Sequence, residues 1–440
     1  MTTEQREPRA LPPPLPPRGF DRFRNEVMAG GSVTERPAST DGEPIGGGAN
    51  GGLAGIGILA LLAWLAVVNM WAFLFVVGIL ISVFLHETGH FITARLTGMK
   101  ATQFFIGFGP RLWSFQRGET EYGVRLLPLG AFVKIVGMNN LDEVPAADEP
   151  RTYRQATFPR RMLVITAGSI MHILLAIVLF FAVFASKGEI VEIPGAEVGE
   201  EVQGGALAAG IRPGDIVMSI DGDVIGDVDG EDLGDVVRRH QPGDVVSVEF
   251  VRDGAPQTAD VTLGTAGPDS QVPGSALLGV RSAGRTEWSD LSIGEAARRS
   301  ISDLPSSTWL STKGIVEVLN PVNIFDHLTG SNDDLATRPT TVVGVTQVAG
   351  DVGETDGFVG VLYILAALNV FVGVFNMFPL LPLDGGHAAI AIYERVREIG
   401  NKGKRYFTDV AKLMPFAMGV IVVLFFLFMS GLYLDITDPL

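Results

Sequence analysis

Polar and apolar positions divide this chain sharply. Residues 1–50 are polar and rich in Pro, Gly and Arg, with Leu11–Pro12–Pro13–Pro14–Leu15–Pro16–Pro17 in their middle. Such a stretch buries too little apolar surface to order itself and reads as a disordered tail; it also lacks the apolar core of a cleavable leader. From Leu53 to Phe91 the chain is almost continuously apolar, too long for a single bilayer crossing of about 20 residues. Two readings stay open: helices at 51–69 and 70–92 joined by a tight turn at Asn69–Met70, or a start at Met70 preceded by an optional anchor. The pattern leans toward the extra helix. Further crossings are expected at 161–186, 357–387 and 413–434. This is an α-helical polytopic membrane protein with four core transmembrane helices, or five if the N-terminal run also crosses.

The segments between the crossings have their own patterns. Within 93–160, alternating runs such as Tyr122–Leu127 and Phe132–Val136 predict strands, with a turn at Arg117–Gly118–Glu119. Phe104–Phe105–Ile106–Gly107–Phe108–Gly109–Pro110 is too apolar for a solvated loop and can enter the membrane only if its backbone pairs internally. Residues 187–285 mix strand-like runs (Val217–Ile220, Val245–Arg252, Asp260–Leu263) with a helix-like Leu233–His240, the pattern of an inserted α+β domain. Residues 286–356 read as an amphipathic, partly irregular connector, 388–412 as a basic segment, and 435–440 as a short tail.

Charge orients these pieces. The basic residues of 93–160 and 388–412 place both segments in the cytoplasm by the positive-inside rule, and the acidic 187–356 region outside. The N-terminal tail is then cytoplasmic. A net charge of −16 argues against nucleic-acid binding, and the absence of cysteine excludes disulfides, thiol nucleophiles and Cys-ligated metal.

Chemistry is concentrated at the end of the first core crossing. His86–Glu87–Thr88–Gly89–His90 is a His-Glu-x-x-His sequence, whose two imidazoles share a helical face and can bind one metal ion. Glu87, one step round, can take a proton from a metal-activated water. Ionisable groups at membrane depth are costly unless they have work or partners. The topology brings the end of the third crossing to the same depth, and its one carboxylate there is Asp384, after helix-breaking prolines and before Gly385–Gly386. Two His and a carboxylate suit Zn2+ with a fourth position left for water; iron and manganese accept such donors too. Asp384 could alternatively cap a helix, and His387, a turn beyond, could compete as ligand. His172 inside the second crossing is favoured as a helix–helix hydrogen-bond partner over a third ligand.

These residues resemble the site-2 proteases. The resemblance rests on His86–Glu87–Thr88–Gly89–His90, Gly107–Phe108–Gly109, Pro128–Leu129–Gly130, and Asn376–x–x–Pro379–x–x–Pro382–Leu383–Asp384–Gly385, and it covers residues 71–435. It implies an intramembrane zinc metalloprotease with His86, His90 and Asp384 as ligands, Glu87 as base, and Asn376 and Pro379 contacting the substrate segment. It also implies that 187–285 is an extracytoplasmic PDZ-like domain, on the Ala208–Ala209–Gly210–Ile211 and Pro213–Gly214–Asp215 run. The expected role is regulated intramembrane proteolysis in a bacterial plasma membrane. There a membrane protein such as an anti-sigma factor, first cut outside by a site-1 protease, is cut again within the bilayer. One departure is His172, four residues after Gly168, where many members have Asn; the tail and extra apolar run also lie outside the pattern. Alternatives are general clearance of remnant signal peptides and membrane stubs, or a non-catalytic PDZ-bearing envelope sensor, which would predict a degraded motif. A transporter would predict repeated halves, and the two halves do not match.

Overall fold

The computed structural model describes residues 49–138, 144–226, 232–267, 272–331, 337–401 and 405–439; the Pro-rich expectation for the tail lies outside them. It opens with two apolar helices, α1 (Ala49–Val68) and α2 (Met70–Leu96), separated by the single residue Asn69. Asn69 is extended, and its side-chain oxygen accepts from the Ala72 N–H at 2.9 Å, which starts α2 at once. The tight turn expected at Asn69–Met70 is therefore formed by a capping asparagine. α2 is one of four helices long and apolar enough to cross a membrane.

After α2 comes a long antiparallel hairpin, β1 (Ala101–Arg117) and β2 (Thr120–Ile135), turning at Gly118. The apolar run at Phe104–Pro110 lies in β1 and pairs its backbone with β2, as an apolar, non-helical segment must. Sequence pattern gave two runs where the chain forms one strand; several bulges carry β2 past Pro128 and Gly130 without ending it. Arg125 is buried against the stacked rings of Phe105 and Phe132, 4.7 and 4.8 Å from their centroids, so its charge faces aromatic rings rather than water. The second crossing helix, α3 (Phe158–Lys187), follows.

Phe184–Ala297 forms a compact unit of its own. Its strands are β3 (Glu189–Val202), β4 (Ile216–Ile220), β5 (Asp223–Val224), β6 (Val245–Arg252), β7 (Ala255–Thr262), β8 (Gly264–Thr265), β9 (Ala276–Leu277) and β10 (Val280–Ser289). The sheet order is β10-β3-β4-β6-β7, all antiparallel, with β5 on β4; β8 and β9 pair separately. Two short helices, α4 (Gly204–Ala208) and α5 (Leu233–Arg238), bury Ala206 and Leu233, Val236 and Val237 in the same core. The core is β-branched and aliphatic, with Val198, Ile211, Val217, Ile220, Val236 and Val248 nearly inaccessible. Strand alternation made most of this unit readable, because each strand buries one face.

The chain continues through α6 (Ile293–Ser302), within which the other unit resumes at Arg298, to α7 (Leu304–Val318) and α8 (Pro321–Leu328), so the connector read as partly irregular is largely helical. α9 (Val342–Asn376) bends at Gly357, whose φ of 66° few other residues adopt; the expected crossing begins just there. α9 ends at Asn376, and a new helix, α10 (Asp384–Gly400), begins after a turn containing Pro379 and Pro382. The single helix expected over 357–387 is thus two, since neither proline can continue a helix. α11 (Met414–Thr437) is the last of the four crossing helices.

Candidate metal centre

His86, Glu87 and His90 lie in the C-terminal half of α2, and Asp384 is the first residue of α10. The turn before α10 is drawn tight at Gly385 and Gly386, where any Cβ would strike the backbone of residues 377–381. That close approach aims the Asp384 carboxylate at α2. Its Oδ2 is 3.4 Å from His86 Nε2 and 3.2 Å from His90 Nε2, and the two nitrogens are 3.1 Å apart.

Three donors around tetrahedral zinc at about 2.0–2.1 Å would stand about 3.3–3.4 Å from one another. The observed triangle has nearly those edges, so these residues fit the ion. Asp384 Oδ2 is buried without another hydrogen-bond partner among the described residues, as a ligand atom should be. Among those residues, this trio is the cluster able to hold a metal. His90 Nδ1 lies 2.7 Å from the Val164 carbonyl. A carbonyl only accepts, so Nδ1 carries the proton and Nε2 offers its lone pair inward. Glu87 sits beside the trio, its Oε1 3.9 Å from His86 Nε2, and its side chain keeps 16% exposure.

α3 packs directly on the two imidazoles. Gly168 faces both, and a Cβ there would collide with the His86 and His90 rings. Gly89 makes the reciprocal approach, against Ala167 and Met171 of α3. A turn on from Gly168, the His172 ring lies 5.0 Å from that of His86. Its Nδ1 is 2.8 Å from Asn369 Oδ1, while Asn369 Nδ2 donates to Leu365 O at 2.7 Å and Ser82 Oγ at 3.1 Å. Because Asn369 uses its amide group as donor, its oxygen must accept and His172 Nδ1 must donate. His172 is thus a hydrogen-bond partner joining α3, α9 and, through Asn369, α2.

Asn376 ends α9 and Pro379 stands exposed in the turn that leads to Asp384. His387 is a turn beyond Asp384 and instead lines a cavity with Tyr153, Arg161 and Glu394. There Arg161 and Glu394 form a buried ion pair at 2.7 Å. Sequence reasoning gathered the trio and Glu87, but it missed Asn369 and the packing role of Gly168. A lone Asn in an apolar run was the available signal for Asn369; nothing local marks which glycine meets a ligand.

Comparison with known proteins gives one coherent family. Residues 74–424 match the profile described as Peptidase family M50. Over 401 residues the chain is 31% identical to "Zinc metalloprotease Rip1" of Mycobacterium tuberculosis, covering 83% of this chain and 97% of that protein. It is 27% identical over 363 residues to "Membrane metalloprotease ARASP, chloroplastic" of Arabidopsis thaliana, covering 81% and 75% respectively. Among solved structures, the PDZ domain of an SdrC-like protein from Listeria monocytogenes covers 21% of this chain and 92% of its own, at 20% identity and a TM-score of 0.18.

Proposed function

This chain belongs to peptidase family M50 and is a multi-pass membrane zinc metalloprotease, and from that premise we propose that it cuts membrane proteins inside their own transmembrane segments after a first protease has shortened them. The observation that carries this reading is the site's address. His86 stands 16 residues into α2, about 24 Å along a helix long and apolar enough to cross a bilayer. Peptide bonds reach such a depth only as part of a membrane segment.

In this reading His86, His90 and Asp384 hold the zinc. Bound zinc supplies Lewis acidity and lowers the pKa of a water to about 7. Glu87 accepts the proton of the attacking water and returns it to the leaving amine nitrogen, so the bond is cleaved without net proton change. A helical peptide bond is shielded by its own hydrogen bonds, so the substrate must unwind locally. Asn376, at the end of α9, and Pro379, in the turn before Asp384, would engage the unwound strand. The basic segments 93–160 and 388–412 orient the site toward the cytoplasm of a bacterial plasma membrane, with the Phe184–Ala297 unit, a PDZ-like domain, outside. An anti-sigma factor trimmed by a site-1 protease is the substrate type that such geometry serves, since the second cut frees a cytoplasmic fragment.

Two reporters sharing one transmembrane segment, one with its external domain intact and one trimmed near the membrane, test this with purified protein. Cutting of the trimmed reporter alone, mapped inside the apolar segment, is expected. Equal cutting of both would remove the requirement for a first cut. Equally fast cutting of unrelated signal-peptide remnants would favour general clearance.

A further inference from the structure

A second cavity, of about 380 Å³, opens where α3 enters its crossing. Phe158 and Pro159 of α3 line it, with Arg154 and Arg161 on one side and Ala391, Arg395, Glu398 and Arg405 on the other. Four guanidinium groups and one carboxylate converge there. Arg154 is paired with Glu149, and Arg161 with Glu394. Arg405 is different: it donates to Gln155 Oε1 at 2.9 Å, to the Gln155 carbonyl at 2.7 Å and to the Arg154 carbonyl at 3.5 Å. These acceptors are neutral, so they fix the guanidinium plane without cancelling its charge. Arg395 reaches Glu398 at only 3.4 Å and stays exposed.

The apolar surroundings say what kind of anion fits. Ile392, Val396 and Ile399 follow helical spacing and are 48%, 61% and 67% exposed. Arg395 lies on that same stripe, and Ala391, Arg395 and Glu398 of the cavity wall form the neighbouring one. An exposed apolar stripe with an arginine in its midst is the face of an interfacial helix. Here it runs beside a cationic cavity at the point where a crossing helix begins. A soluble anion would use the cavity and leave the stripe in water. An anionic lipid satisfies both.

We propose that this cavity holds the phosphate of an anionic phospholipid, with its acyl chains along the Ile392–Val396–Ile399 stripe of α10. The charge is complementary, the cavity has the size of a small-ligand pocket, and basic pockets at helix ends are where anionic headgroups bind. Because α10 begins with Asp384, the lipid would brace the helix whose first residue completes the metal trio. The site is independent of which substrate the enzyme cuts.

Native mass spectrometry of the full chain, released from detergent and titrated with phosphatidylglycerol, tests this. Phosphatidylcholine, inorganic phosphate and an acidic peptide serve as the other arms. Phosphatidylglycerol is expected to stay bound, at least tenfold more tightly than phosphatidylcholine. At about one kcal/mol per basic residue near an anionic headgroup, Arg395→Gln with Arg405→Gln should weaken it about thirtyfold. Arg405→Lys, which keeps the charge, should lose far less. Should the double variant not fold, Arg395→Gln alone, on an exposed side chain, is expected to weaken binding about fivefold. Undiminished phosphatidylglycerol binding by these Gln variants would overturn the proposal. So would displacement of the lipid by millimolar inorganic phosphate, the mark of a free-anion site, or by an acidic peptide, the mark of a protein-docking site.

Discussion

Replacing Gly168 by alanine should weaken zinc binding while leaving the identity of every ligand unchanged. The added Cβ would stand 2.5 Å from His90 Nε2 and 2.6 Å from His86 Nδ1, where ordinary contact begins at 3.4 Å. The His90 ring would have to retreat by about 0.9 Å and the His86 ring, whose Cε1 lies nearer still, by about 1 Å, several times the roughly 0.2 Å tolerance of a metal–ligand distance. His90 cannot swing freely, because Val164 O holds its Nδ1 at 2.7 Å. Overpacking of this kind costs about 1–3 kcal/mol, which corresponds to a loss in zinc affinity of about 5–150-fold. Alanine is the better helix former by about 1 kcal/mol, so instability of α3 itself is not the expected cause. Zinc content after equilibration against graded chelator is the assay, with Gly419→Ala as control, since a Cβ there meets nothing within 4 Å. If Gly168→Ala keeps its zinc at the same chelator concentration as wild type, the packing of α3 on the imidazoles is not as described here.

Other expectations follow from the same contacts. Asp384→Asn should lower zinc affinity by at least tenfold, read in the same chelator series, because it replaces a charged ligand by a neutral one. Asn369→Leu leaves His172 Nδ1 and Ser82 without their shared partner, and should lower thermal stability by about 1–3 kcal/mol in detergent. Removing one member of the buried Arg161–Glu394 pair, as in Glu394→Ala, should cost more, about 3–5 kcal/mol. In the Phe184–Ala297 unit, burial alone would raise the Asp215 carboxyl. Its hydrogen bonds from Arg252 and the Arg212 N–H outweigh that and hold it below the ordinary carboxylate value. A group with a depressed native pKa stabilises above its unfolded value of about 4, and that contribution fades as pH falls through the native value. The thermal stability of this unit should therefore fall on acidification below about pH 4. Asp215→Asn should flatten that acid limb, and an unchanged limb would exclude the pair as its source.

Much of the metal centre was legible because its parts are local. The spacing of His86 and His90 is one helical turn, and the two prolines before Asp384 announce a broken helix. Charge on the short segments then sets both helix ends at one depth, which is how a residue almost 300 positions away joins the pair. Long-range packing was not legible. Gly168 and Gly89 look like any glycines of an apolar helix, and only the crossing of α2 and α3 makes them contact points. Asn369 is a lone polar residue in an apolar run, and its partners come from two other helices. The connector was under-read for a related reason: α6 to α8 expose apolar residues such as Trp309, Leu310 and Phe325, which blurs the apolar stripe that would mark them as helices. The Phe184–Ala297 unit was easier, since period-two burial of β6 is written in Val246, Val248 and Phe250.

The most direct test of the central claim is cleavage of a tagged single-pass segment by purified protein, wild type beside Glu87→Gln, with the zinc content of both measured. Equal zinc, with cutting inside the apolar segment reduced at least about a thousandfold in the variant, is the predicted result. Equal cutting by both would remove Glu87 from the chemistry, and loss of zinc by the variant would make it a ligand rather than the base.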